Sequence, residues 1–308
     1  MRVRRLGLLG GLVLVPIGAL LAAGCGGGGK KASSETTNTA GSGTSTTITM
    51  PAVDSAVAAQ VPATVKGKTL TVATYATYAP NEFIDNHTLV GMDVDLAKAL
   101  AAVTGLKVKF VNTPFASIIP GVASGKYDLG MSSITDTKAR EKTVDFVTYF
   151  SAGSLFYANL QGGPVITGLA DLCGHSVAVQ RGTTQLADAT AQNGKCKAAG
   201  DAGVTVHVYP SLNAASVAVH KGVAQIGMAD SPVAAYITTQ SNGQFKLTGK
   251  PYNTAPYGIA IAKGSGMAKP VLAAVKALMS DGTYKAIVTR WSNTAGQIRN
   301  PQINGAIN

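Results

Sequence analysis

The sequence is poor in several features, and each shortage excludes a class of protein. Charged residues make up 13% and aromatic residues 6% of the 308-residue chain. The net charge is +11, but the lysines are scattered and do not form runs interleaved with aromatic residues. Nucleic-acid binding is therefore weakly supported. After the N-terminal stretch, no segment is long and apolar enough to span a bilayer.

The N-terminal stretch has the organisation of an export signal. Three arginines within the first five residues precede an apolar run over residues 6–21. The following Leu21-Ala-Ala-Gly-Cys25 resembles a bacterial lipobox, although Ala22 stands where leucine is usual. We predict a lipoprotein signal peptide over residues 1–24 and lipidation of Cys25. The alternatives are a plain signal peptide that is cut elsewhere and an uncleaved anchor.

A stretch rich in glycine, serine and threonine follows the cysteine. Its composition cannot bury a hydrophobic core, so residues 25–65 are interpreted as the lipidated cysteine and a flexible tether. Two or more acyl chains on Cys25 would anchor the chain stably. The predicted location is extracytoplasmic, on the cell membrane.

Cysteine and histidine are too few and too widely spaced for a metal centre. Cys173 and Cys196 remain after Cys25, and an exported chain in an oxidising setting favours a disulfide between them. The four histidines show no ligand spacing with the cysteines, so neither a metal nor a cofactor is predicted.

Alternating strand and helix patterns run through the rest of the chain. A strand over residues 69–75, a helix over 91–105 and a strand over 107–112 are followed by a second series that starts at residue 176. This order predicts an α/β fold with parallel pairing, in which ligands bind beyond the carboxyl ends of strands.

The most informative stretch runs from Asp128 to Arg140. It begins as a strand and turns polar at Ser132 and Ser133, and Thr135 or Asp136 is suited to cap a following helix. Free backbone N–H groups, hydroxyls and a guanidinium at such a junction suit a small carboxylate. The alternative is an ordinary capped helix with a surface arginine.

A second stretch has the same pattern. Gly125-Lys-Tyr-Asp-Leu-Gly-Met131 is matched by Gly222-Val-Ala-Gln-Ile-Gly-Met228, and Ser133 and Asp230 then fall at the same register. Two matched strand ends, one with an arginine nearby and one with a carboxylate, suit a zwitterion. Arg140 would take its carboxylate and Asp230 its ammonium group. Chance similarity remains the alternative for so short a match.

Three further positions follow predicted strand ends. Tyr78 and Phe115 are aromatic candidates for ligand contact, with core packing as the alternative. The Gly182-Thr183-Thr184 turn opens a helix and can donate to an anion, with a simple cap as the alternative.

Taken together, these motifs resemble the bacterial extracellular solute-binding proteins of family 3, the polar amino-acid receptors of ABC importers, from about Lys68 to Trp291. The resemblance is carried by the following patterns, in this order: Gly91-Met-Asp-Val-Asp-Leu96, Ser132-Ser133-x-Thr135 with Arg140, Gly182-Thr183-Thr184, Asp230 and Asp281-Gly-Thr-Tyr284.

The resemblance implies a two-lobed, type II periplasmic binding protein fold with a hinge of two crossings. Lobe 1 would comprise residues 66–155 and 257–308, and lobe 2 residues 156–256. Arg140, Ser133 and Thr184 would hold the ligand's carboxylate, and Thr135 and Asp230 its ammonium group.

The resemblance also bears on the ligand's side chain. Tyr78 and Phe115 would flank it, and Tyr75 and Ser132 are also expected among the ligand-binding residues. Receptors for cationic amino acids often carry aspartate at the position of Tyr75, so tyrosine predicts a neutral or acidic ligand such as glutamine or glutamate. Arg181 could reach an acidic side chain, or be a surface residue without a role.

The predicted function is capture of an amino acid by a monomer and delivery to the permease subunits of an ABC importer. A ligand-sensing domain for a signalling partner is the first alternative. An enzyme on the same fold is the second, and it is disfavoured because no pair of carboxylates stands out around the predicted site.

Overall fold

A computed structural model of the chain describes residues 48–307. These residues form eleven strands and nine α-helices. The strands are β1 (Thr69–Thr74), β2 (Thr77–Tyr78), β3 (Glu82–Asp85), β4 (Thr88–Val90), β5 (Lys107–Asn112), β6 (Leu129–Gly130), β7 (Asp145–Asn159), β8 (Ser176–Gln180), β9 (Thr205–Tyr209), β10 (Ile226–Asp230) and β11 (Phe245–Ile261). The helices are α1 (Ser55–Ala59), α2 (Met92–Thr104), α3 (Ile118–Ala123), α4 (Lys138–Glu141), α5 (Thr184–Ala198), α6 (Leu212–His220), α7 (Ser231–Gln240), α8 (Ala268–Ser280) and α9 (Thr283–Arg290).

Eight strands form one mixed sheet in the order β5-β1-β6-β11-β7-β10-β8-β9. β1 pairs in parallel with β5 and β6, and β8 pairs in parallel with β9 and β10. The two long antiparallel strands β7 and β11 lie between these parallel sets and cross from one to the other. The predicted α/β class and the two crossings are confirmed.

The first helix of the parallel set begins and ends at glycines. Gly91 precedes α2, and Gly105 ends it in the left-handed conformation with φ of 69°. The apolar face of α2 packs on the sheet and on α8, in the main core of lobe 1. Repetition of apolar residues at helical spacing is thus enough to place this helix.

The internal sequence similarity corresponds to two equivalent strands. β6 and β10 each lie beside a crossing strand, and each contains a glycine at the matched position. A Cβ at Gly130 would lie 2.7 Å from the Ile118 side chain, and one at Gly227 would overlap the Tyr157 ring. The shared glycine therefore permits close packing at both strands.

The two crossing strands are longer than local sequence patterns indicate. β7 runs without a break from Asp145 to Asn159. β11 begins at Phe245, twelve residues before the alternating pattern that starts at Tyr257. Gly249 and Pro251 within this extension are unfavourable for a strand, and its pairing with β7 shifts register around them.

Packing begins before the family-like region. Ile48 packs against the core of lobe 1, and α1 contacts α2 and α8, within the range predicted as tether. The predicted signal peptide and Cys25 lie outside the described residues. Within residues 48–307, no helix combines the length and apolar character needed to cross a membrane.

The predicted disulfide is confirmed. Cys173 and Cys196 are bonded, with their Cα atoms 5.6 Å apart. The bond joins the loop before β8 to the last turn of α5, and Cys196 is buried in the lobe 2 core.

Candidate functional site

All nine predicted ligand-binding residues lie around one cavity of about 310 Å³ between the two parallel sets of the sheet. They are Tyr75, Tyr78, Phe115, Ser132, Ser133, Thr135, Arg140, Thr184 and Asp230. Thr183 of the predicted anion-binding turn also lines the cavity, and three residues that the sequence did not single out complete the lining: Glu82, Gln180 and Gln185.

Arg140 lies on α4 and reaches across the cavity. Its Nη1 donates to the Thr135 carbonyl at 2.7 Å, and its Nη2 donates to the Gly182 carbonyl of lobe 2 at 2.9 Å. The guanidinium lies over the Phe115 ring, 5.8 Å from the centroid. Burial lowers the pKa of Arg140 to about 10, with the Asp230 charge opposing the shift. The side chain therefore remains cationic at neutral pH.

The N-terminus of α5 provides the second element suited to an anion. Thr183 caps this helix by accepting from the Leu186 N–H, and Thr184 is its first residue. The first N–H groups of a helix have no intrahelical acceptor and carry partial positive charge. Since Thr183, Thr184 and Arg140 line the same cavity, a carboxylate there would meet positive groups from both lobes.

Asp230 ends β10 on the opposite side of the cavity. Its Oδ2 accepts from the Tyr78 hydroxyl at 3.0 Å, and its Oδ1 accepts from Nε2 of Gln185 at 2.8 Å. Burial raises the pKa of Asp230, although these hydrogen bonds and the charge of Arg140 oppose the shift. A carboxylate in this position favours an ammonium group.

The two serines make contacts that the sequence did not predict. The Ser132 and Ser133 hydroxyls donate to the two carboxylate oxygens of Glu82, at 2.8 and 3.2 Å. Ser133 has a positive φ of 50°, and its N–H donates to Asp93 at 2.6 Å. Because a serine hydroxyl carries one proton, that of Ser133 is directed to carboxylates of the protein.

Glu82 and Gln180 are the acceptors that sequence reasoning missed. Glu82 begins β3, in a hairpin that the sequence did not predict. Gln180 is the last residue of a predicted strand, so its position at a carboxyl end was an available signal. Both side chains are buried, and among the described residues Oε1 of Gln180 has no hydrogen-bond partner. Two acceptors therefore line one cavity.

Of two further residues that the sequence singled out, Tyr75 lines the cavity and Arg181 does not. Tyr75 is half-buried, and its N–H donates to Ser132. The exposed Arg181 is absent from the cavity lining. Within residues 48–307, no group of three or more His, Cys, Asp or Glu side chains is placed to hold a metal ion.

Comparison with known protein families identifies the family that has this architecture. A sequence profile of the bacterial extracellular solute-binding proteins, family 3, matches residues 70–294. The chain belongs to this family. The match includes every residue of the cavity, so the resemblance predicted from the motifs is confirmed.

Similar proteins of known ligand include ones that bind arginine and one with glutamine bound. The arginine-binding protein ArgT of Corynebacterium glutamicum is 31% identical over 237 residues, covering 76% of this chain and 78% of ArgT. The structure of an ancestral arginine-binding protein bound to arginine is 37% identical to this chain, with a TM-score of 0.67. That match covers 74% of this chain and 99% of the ancestral chain. The structure of an ancestral arginine-binding protein bound to glutamine is 37% identical, with a TM-score of 0.65, and the match covers 73% of this chain and 98% of the other.

These solved structures confirm the two-lobed, type II binding-protein fold. The family profile and the similarity to ArgT place the chain among solute-binding proteins of amino-acid ABC transport. The contact roles of the individual cavity residues stay predictions.

Proposed function

We propose that the chain captures a free amino acid between its lobes and delivers it to the permease subunits of an ABC importer. The observation that carries this proposal is that Arg140 and Asp230, from opposite lobes, line one small cavity. Opposite charges from two lobes match the two ends of a zwitterion, so ligand binding and lobe closure would stabilise each other.

The α-carboxylate would bind Arg140 and the first turn of α5, where Thr184 lies. The α-ammonium group would bind Asp230 together with the Thr135 carbonyl or hydroxyl. Charge-assisted hydrogen bonds contribute about 1.5–3 kcal/mol each, and a micromolar complex needs about 8 kcal/mol. A few such contacts therefore reach micromolar affinity after the costs of ordering.

The ligand's side chain should end in N–H donors. Glu82 provides carboxylate oxygens, and Gln180 provides an acceptor without a protein partner among the described residues. A guanidinium or a carboxamide can donate to both, whereas an ionised carboxylate has no donor to offer to either acceptor. Of the predicted neutral or acidic ligands, this reasoning favours glutamine over glutamate.

Arginine is the stronger candidate of the two. A non-cationic ligand is predicted because position 75 carries tyrosine, where receptors for cationic amino acids often carry aspartate. Glu82, however, supplies a carboxyl group to the same cavity from another position. The named relatives that bind arginine point the same way. We therefore expect arginine to bind most tightly, then glutamine, and glutamate weakly or not at all.

Isothermal calorimetry on the purified chain with the twenty amino acids tests this order. Tightest binding of glutamate would contradict the side-chain assignment, and binding of no amino acid would contradict the proposed function. Arg140→Ala should weaken binding at least about 100-fold, equivalent to about 3 kcal/mol. Arg181→Ala, which removes a neighbouring exposed arginine, should leave the affinity unchanged. Near-normal affinity in Arg140→Ala would refute the carboxylate role.

Lipidation of Cys25, attachment to the cell membrane and a monomeric state are parts of the same proposal. Mass spectrometry of the membrane-extracted chain would test the first. A non-enzymatic role is supported by the relatives, which are named as binding proteins. The sensing alternative requires the same binding site and differs only in the partner. Transport of labelled ligand into cells that carry or lack the chain distinguishes the two.

A further inference from the structure

Two carboxyl groups lie together beneath the ligand cavity. Glu82 begins β3 and Asp93 is in the first turn of α2, and each side chain is about 1% exposed. The Ser133 hydroxyl lies between them, 3.2 Å from Oε2 of Glu82 and 3.4 Å from Oδ2 of Asp93. Glu82 lines the cavity, whereas Asp93 lies behind it.

The donors around the pair are too few for two carboxylates. Glu82 accepts from the hydroxyls of Ser132 and Ser133. Oδ2 of Asp93 accepts from the Ser133 N–H at 2.6 Å and from the Tyr149 hydroxyl at 2.8 Å. Oδ1 of Asp93 is buried and has no partner among the described residues. A proton on one of the two acids would add a donor to the pair and remove one of the two negative charges.

The pair has no salt-bridge partner among residues 48–307, because none of the ion pairs within 4.0 Å there includes Glu82 or Asp93. The ionisable groups facing the pair are the Tyr149 hydroxyl from β7 and the Tyr78 hydroxyl from β2. Asp230 and Arg140 lie across the cavity, where the charge of each favours the ionised form of the other. Two buried like charges in contact cannot both ionise at low cost.

We propose that Glu82 and Asp93 share one proton and that a cationic ligand side chain displaces this proton to solvent, whereas a neutral side chain leaves it in place. The second half rests on the proposed function. Burial, reinforced by Asp93, raises the pKa of Glu82 well above its ordinary value. Burial also raises the pKa of Asp93 to about 6, despite the hydrogen bond from Tyr149. Ligand charge and proton occupancy would then be coupled at one carboxyl pair.

The shared proton can be observed without any ligand. The sequence contains three glutamates, Glu35, Glu82 and Glu141, so carbon-13 labelling of glutamate carboxyls gives a simple NMR titration. The signal removed by Glu82→Gln should remain that of the protonated acid at neutral pH. The signal of Glu141 is the internal comparison, because hydrogen bonds from Ala306 and Lys138 outweigh burial and lower its pKa. Ionisation of Glu82 alongside Glu141 would overturn the proposal.

Calorimetry in buffers of different ionisation enthalpy tests the displacement. Arginine should release about one proton per molecule bound, and its affinity should rise with pH by at most about tenfold per unit. Glutamine should release none. Glu82→Gln, which mimics the protonated acid, should abolish proton release and weaken arginine more than glutamine. Arginine binding with no proton release in the wild-type chain would refute the displacement.

The two proposals fail in different ways. A chain that binds no amino acid would refute the proposed function, and the NMR titration of Glu82 would still decide on the shared proton. If Glu82→Gln proves unstable, Asp93→Asn provides the second variant. In that variant the pKa of Glu82 should fall towards that of an ordinary glutamate, and an unchanged titration would contradict sharing.

Discussion

The Tyr78 hydroxyl of lobe 1 donates a hydrogen bond to Oδ2 of Asp230 in lobe 2, at 3.0 Å, and accepts one from the Asp230 N–H at 3.1 Å. Burial raises the pKa of Tyr78 well above its usual value, so the hydroxyl stays protonated. The Tyr78 ring packs in a cluster that it shares with Leu155 and with residues of lobe 2. One side chain thus links the two lobes beside the proposed ammonium site.

Tyr78→Phe should therefore favour the open arrangement of the lobes. Loss of one buried hydrogen bond costs about 1 kcal/mol, so we expect roughly fivefold weaker ligand binding. Small-angle scattering of the ligand-free variant should give a larger radius of gyration than that of the wild type. Tyr236→Phe removes a hydroxyl outside the cavity and is the control. Equal scattering and affinity in both variants would exclude the linking role of Tyr78.

The disulfide should contribute to stability and leave the binding site intact. Cys173 and Cys196 are 23 residues apart, and closing such a loop stabilises by about 3 kcal/mol in the chain-entropy model. The double variant Cys173→Ser/Cys196→Ser should unfold at lower denaturant concentration and bind ligand normally at room temperature. Reducing agent should lower the wild-type midpoint to that of the variant and leave the variant unchanged. A midpoint insensitive to both treatments would contradict this prediction.

The matched glycine of β10 should not tolerate a side chain. A methyl group on Gly227 would overlap the Tyr157 ring, which is fully buried and bonded to Ser216 through its hydroxyl. Overpacking of this kind costs about 1–3 kcal/mol. Gly227→Ala should therefore lower the free energy of unfolding in urea by that amount. Gly168→Ala, where nothing lies within 4 Å of the added carbon, should be close to neutral. Equal effects of the two substitutions would exclude the packing explanation.

Asp136 should make stability depend on pH. Burial, with the Glu141 charge, raises its pKa to about 7, and its Oδ2 accepts from the Gly305 N–H. Between about pH 4 and 7 the folded chain holds a proton that the unfolded chain has released. The associated stability is present at low pH and is lost as the pH rises through 7.

The variant Asp136→Asn cannot ionise and should escape that loss. Its free energy of unfolding relative to the wild type should rise between pH 4.5 and 7.5, on the order of 1–3 kcal/mol. Urea titrations at several pH values measure the difference. Parallel stability curves for the two chains would show that Asp136 titrates normally.

Local patterns in the sequence were sufficient for much of the fold. The alternation in β1 and β5 and the apolar stripe of α2 depend on neighbours within a few residues, so they are readable without tertiary structure. The small three-stranded sheet β2-β3-β4 was missed because its strands pair only with one another and leave Ile84 half exposed, which weakens the alternation. The first half of β11 was missed because Gly249 and Pro251 oppose strand formation, and pairing with β7 overrides them.

By itself, the sequence determined most of the residues that gather around the cavity. Carboxyl ends of parallel strands meet at one edge of a sheet, so polar and aromatic residues at those ends are brought together by topology. Only the tertiary structure decided what the serines bind and which acceptors reach the cavity. Glu82 comes from an unpredicted hairpin, and its contact with Asp93 depends on burial and on atoms that sequence spacing cannot position.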